Sequence, residues 1–129
     1  KRVYTIIPGA IRSTTSATFV NWPVTDVLTG TFTKRVSGTR LILTLISAGY
    51  LSGAVADVDY GVNIDGSDQV IKVSKINTLL EHEDQTGVIE LSDLDAGDYT
   101  FTLRGRVAAG GTLNCNTRDQ VSLVIEEVA

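Results

Sequence analysis

The stretch from Leu91 to Val107, LSDLDAGDYTFTLRGRV, restricts the possible folds of this chain more than any other. Its second half alternates. Tyr99, Phe101 and Leu103 fall on one face and Thr100, Thr102, Arg104 and Arg106 on the other, the period-two pattern of a half-buried strand. Asp95-Ala96-Gly97-Asp98 before it reads as a turn, because Gly97 tolerates positive φ and the aspartates can accept from nearby amides. The expectation is a hairpin pairing Ile89-Glu90-Leu91 with Tyr99-Thr100-Phe101 at the centre of a β-sheet domain.

The same logic extends along the chain. Arg2 to Ile7 reads as a first strand closed by Pro8-Gly9, and Ala17 to Trp22 as a second that Pro23 confines to an edge or a terminus. Trp22 is expected as a core or interface anchor. A strand is expected within Thr25 to Val36, turned back by Ser37-Gly38. Thr39 to Ile46 is apolar on both faces, which indicates a strand covered on both sides. Val55 to Asp65 alternates, with Val58, Tyr60, Val62 and Ile64 inward. Asp65-Gly66 is a hairpin turn signal, and Gln69 to Ile76 returns with Ile71 and Val73 inward. Thr78 to Glu83 fits a helical turn or a loop, Thr112 to Asp119 reads as a loop, and Val121, Leu123 and Ile125 mark a closing strand.

About eight strands at this spacing imply an all-β fold, an antiparallel two-sheet sandwich of jelly-roll kind. At 129 residues the chain fits one domain able to stand without disulfides. The expected division is an N-terminal lead, residues 1–23, that is an extra strand or an inter-subunit arm, followed by a sandwich over residues 24–129. The absent initiator methionine suggests a processed chain or a piece of a longer product.

Composition excludes several classes of function. The single cysteine, Cys115, cannot staple a secreted disulfide scaffold and is expected to be buried or inert. A net charge of −4 disfavours nucleic acid as a partner. No apolar run is long enough for a bilayer-spanning helix, so no membrane insertion is expected.

Catalytic chemistry has little to rest on. His82, the only histidine, is flanked by Glu81 and Glu83. No nucleophile elbow is present, and Cys115 has no base beside it in sequence, although folding can join His82 to a distant carboxylate. Two acidic groups, Asp57, Asp59, Asp65 and Asp68, and Asp93, Asp95 and Asp98, are explained by turn capping without a metal. No enzyme activity, cofactor or metal is expected. Tyr50, Arg104 and Arg106 are the candidates for surface recognition. For Arg104 and Arg106 the commoner fate is pairing with acids on neighbouring strands. The doubly apolar strand points to an oligomer interface at Leu41, Ile42, Leu43 and Ile46.

Three runs carry a resemblance: Ile64-Asp65-Gly66; LDAGDYTFTLRGRV at 94–107 with Gly110-Gly111; and VSLVIEEV at 121–128. Together they resemble bacteriophage virion proteins built on a small jelly roll of the tumour-necrosis-factor and complement C1q kind. The resemblance covers most of the chain from Thr25 onward and implies a non-enzymatic component of a tail fibre, capsid fibre or decoration protein. It further implies a homotrimer, contacts with other virion proteins, a host-surface glycan or protein as receptor, and location in the virion. The competing class is a carbohydrate-binding sandwich module of a secreted or cell-surface protein.

Overall fold

The doubly apolar segment forms the longest strand, Arg40–Ser52, which we label β5. In the computed structural model the backbone is described for residues 1–76 and 78–129, and side chains for these residues other than 73–75. Ahead of β5 lie β1 (Arg2–Ile6), β2 (Arg12–Thr14), β3 (Val20–Asn21) and β4 (Thr29–Lys34). After it come β6 (Ala56–Ile64), β7 (Ser67–Ile76), β8 (Glu83–Leu91), β9 (Gly97–Val107), β10 (Thr112–Cys115) and β11 (Val121–Val128). The excess over about eight strands comes from short pieces. β2, β3 and β10 have 3, 2 and 4 residues, too few to show a period. Thr78 to Glu83 leads by bends, with no helix, into β8.

The strands make an antiparallel two-sheet sandwich. In the first sheet the order is β1-β11-β5-β10-β2, with β8 on the other edge of β5. β11 and β10 share one edge of β5, pairing with residues 40–47 and 50–52 respectively. In the second sheet β9 carries β3 and β4 end to end along one edge and β6 along the other, and β7 closes that side. Residues 1–23 thus supply β1, β2 and β3 to both sheets, and Trp22 to the core.

This arrangement corrects the hairpin expected at the centre of the fold. β8 pairs along β5, from Leu41 opposite Leu91 to Gly49 opposite Glu83, in the first sheet, whereas β9 lies in the second. The Asp95–Asp98 connection therefore crosses between sheets. Alternation identifies the buried face of a strand and leaves its partner open, and both edges of β9 are taken by β6 and by β3 and β4.

The core sits between the sheets. Val58, Tyr60, Val62, Phe101, Leu103 and Val107 face it from one side; Leu41, Leu43, Leu45, Leu113, Val121 and Leu123 face it from the other. Burying each such side chain contributes about 1.5–3 kcal/mol. Trp22 is fully buried against Gly105, where a Cβ would meet the indole Cγ at 3.2 Å. Glycine at 105 therefore lets the indole seat directly on β9. Ile71 is also buried; the inward direction expected for Val73 lies outside the described residues.

Candidate functional site

β5 has two faces of different character. Leu41, Leu43 and Leu45 are at most 1% exposed and belong to the core. Leu41 and Leu43, expected at an oligomer interface, are thus corrected to the interior of the sandwich. The leucines meet the opposite sheet, and so nothing outside the chain is needed to cover them. Ile42 and Ile46 point the other way, Ile42 half-buried and Ile46 41% exposed.

The strand registers place more apolar side chains around those two. Val3 of β1 lies opposite Val124 of β11, Val124 opposite Thr44 of β5, and Thr44 opposite Val88 of β8. One row therefore crosses four strands, roughly 14 Å at the usual strand spacing. Val3 is 61% and Val88 59% exposed. On one side of this row Ile42 sits between Glu126 and Glu90; on the other, Ile46 sits between Ser122 and Thr86. The outer face is an apolar band with a charged margin, where Arg40 pairs with Glu90 at 3.1 Å. Val3, Val88 and Val124 escape a reading centred on one strand. Their signal is an apolar residue out of phase with the buried set of its own strand.

Arg104 and Arg106 occupy the outer face of the second sheet, where the structure corrects their candidacy for recognition. Arg106 Nε donates to Asp59 Oδ2 at 2.7 Å, and the guanidinium lies over the Phe19 ring, 4.2 Å from its centroid. Arg104 donates to Asn21 Oδ1 and the Phe19 carbonyl, and its Nε lies 3.4 Å from Asp68 Oδ1. Both cations are engaged within the chain and fasten the β2–β3 connection onto the sheet.

Tyr50 is half-buried and packs against His82, their ring centroids 4.4 Å apart. Folding does join His82 to a distant carboxylate: Nδ1 donates to Asp119 Oδ1 at 2.7 Å, and Asp119 Oδ2 accepts the Asn116 amide at 2.8 Å. A histidine held by a carboxylate is part of a hydrolytic triad, which also needs a nucleophile. The thiol near Asp119 belongs to Cys115, which is fully buried. Burial, with the Asp119 carboxylate adding to it, pushes this thiol up to about 12. The thiolate that would attack a substrate is therefore not formed at neutral pH.

Three of the turn aspartates accept hydrogen bonds within the chain, one from a neighbour in sequence and two from remote strands. Asp98 accepts from Thr33, Asp68 from Asn63 and Asp65 from the Thr100 amide. Among the described residues no three His, Cys, Asp or Glu side chains gather to hold a metal ion.

Four aromatic side chains are buried, and the half-buried Tyr4, Phe19, Tyr50 and Tyr99 each pack against a neighbour. Trp22, Tyr60 and Phe101 are 0% and Phe32 3% exposed. Tyr4 packs edge-on to Phe101, and Tyr99 stacks on Phe32. Phe19 and Tyr50 are partnered as described above.

The fold so defined is an all-β, jelly-roll-like sandwich. The chain is similar to the VP2 protein of the infectious bursal disease virus subviral particle, at 11% identity and a TM-score of 0.50 over 99% of this chain and 38% of that one. It is also similar to the EclA C-terminal domain, a sugar-binding protein, at 14% identity and a TM-score of 0.44 over 97% of this chain and 77% of that one. A family 35 carbohydrate-binding module from an environmental isolate is similar at 16% identity and a TM-score of 0.43, over 95% and 85% of the two chains. No protein-family model matches the chain, and a search of curated proteins found no match.

Proposed function

We propose that this chain is a non-enzymatic building block of a bacteriophage virion, self-associating through the outer face of its first sheet. The observation that carries the reading is the exposed band of Val3, Ile46 and Val88, continued by half-buried Ile42 and Val124. Contiguous apolar surface with a polar rim is the mark of an association face. Jelly rolls serve in viral shells and in lectins, so the fold is compatible with either use. That each aromatic ring is either buried in the core or packed against a neighbour in the chain supports the first. A trimer is the favoured assembly, with other virion proteins or a host-surface molecule as further partners.

The test is a glycan array run alongside mass measurement on the same preparation. The proposal expects an oligomer without specific sugar binding. A monomer that binds one class of glycan would overturn it in favour of a carbohydrate-binding module.

A further inference from the structure

The two ends of the sandwich carry complementary features that the sheet face does not use. At the end where β5 begins, a cavity of about 330 Å³ opens between the sheets. Phe32, Leu41 and Ile125 form its floor, and Lys1, Arg2 and Arg35 stand among its lining residues. Among the described residues none of these three cations has an acidic side-chain partner; the Arg35 link to Glu127 is made by its backbone amide. Glu127 is itself occupied by the Arg35 and Val36 amides and the Thr39 hydroxyl.

At the far end of β5, roughly 30 Å away at the usual rise per residue, the chain presents two consecutive exposed leucines. Leu79 is 43% and Leu80 69% exposed. The segment is tied down by a parallel bridge from Leu79 to Leu51 and by the Leu80 amide donating to the Leu51 carbonyl at 2.8 Å. Leu80 has a φ of 61°, a conformation that costs a leucine energy and that Asn or Gly adopts more easily. A strained, solvent-facing leucine gains nothing from its own fold. Acidic residues follow directly: Glu81, Glu83 and Asp84, none with an ion-pair partner among the described residues.

We infer that a second copy of this chain docks head to tail, inserting the Leu79–Leu80 tip of one copy into the Phe32–Leu41–Ile125 cavity of the next. The acids beside the tip then meet the unpaired cations of the mouth. Such a contact is heterologous, and repeated it closes a ring or extends a filament. It extends the self-association proposed above and uses different residues, so the two can fail separately.

Sedimentation velocity of the full chain tests both. Leu80→Asn suits the positive φ, so it is expected to fold with an unchanged or higher melting temperature while weakening self-association by about tenfold or more. Arg35→Glu is expected to weaken it as well, and added salt to weaken the wild type. The decisive sample places Ile46→Asp in both partners to disable the sheet face, then mixes a Leu80→Asn chain with an Arg35→Glu chain. Each alone has only a weakened contact, since one lacks the tip and the other carries a reversed charge at the cavity mouth. Together they retain one good tip and one good cavity, and a dimer that grows no further is expected. A mixture that stays monomeric overturns the inference, as does a Leu80→Asn chain of wild-type mass and affinity. If Ile46→Asp alone lowers the mass and Leu80→Asn does not, the sheet-face reading stands and this one falls; the reverse result overturns the sheet face.

Discussion

Asp65 and Gly66 show how much a two-residue turn can determine. Their φ angles are 47° and 94°, both positive as a tight hairpin turn of this hand requires. Asn63 Oδ1 accepts the Gly66 amide at 2.9 Å, and the Asp65 carboxylate accepts the Thr100 amide at 2.9 Å. Gly66→Val has open space for its side chain but an unfavourable backbone, and is expected to cost about 1 to 3 kcal/mol in a denaturant melt. An unchanged midpoint would show that the turn does not constrain the fold. Gly66 was legible because the positive φ and the Asn63 cap are local, whereas the Asp65 bond to Thr100 was not. Glu127 was not, since its partners Arg35, Val36 and Thr39 are remote in sequence. The Arg35 and Val36 amides hold its carboxyl below the usual carboxylate range. A lowered folded-state pKa means that this stabilisation is fully present above the unfolded value, about 4.3, and is lost as pH falls through the lowered value. Glu127→Gln is therefore expected to reduce stability at neutral pH and to narrow its deficit below about pH 4.3. Melting temperatures of both proteins across pH 3 to 7 check this, and a constant difference would contradict it.

β5 carries the argument at the scale of elements. Its apolar run announced a strand with two dry faces, and the structure gives those faces different owners: the core takes Leu41, Leu43 and Leu45, while Ile42 and Ile46 look outward. Sequence periodicity separates the two sets but cannot say which covers the core, because that depends on the opposing sheet. The same limit produced the mistaken hairpin, since the faces of β8 and β9 were readable and their placement in different sheets was not. Arg104 and Arg106 illustrate it a third time: their acidic partners, Asp68 on β7 and Asp59 on β6, are not beside them in sequence. Because Ile42 is outward and half-buried, Ile42→Asp is expected to fold and to weaken self-association, placing an unpaired carboxylate in a contact. Circular dichroism with light scattering checks both parts. A folded variant of wild-type mass would remove Ile42 from any interface.

For the molecule as a whole, the class of fold was legible because alternation, turn residues and the lack of helix-length patterns all agreed. The candidate surfaces were legible only in part. Ile42 and Ile46 were identified, but Val3, Val88 and Val124 join them only through the registers of β1, β8 and β11. The Leu79–Leu80 tip and the cavity at the other end have no signature in sequence at all. The proposed function rests on association of this sandwich with copies of itself. Sedimentation velocity of the wild-type chain from about 1 to 100 µM, a range that spans ordinary specific affinities, measures this directly. Self-association predicts a concentration-dependent mass above the 13.8 kDa of one chain, with a trimer favoured. A single species of 13.8 kDa at every concentration would contradict it.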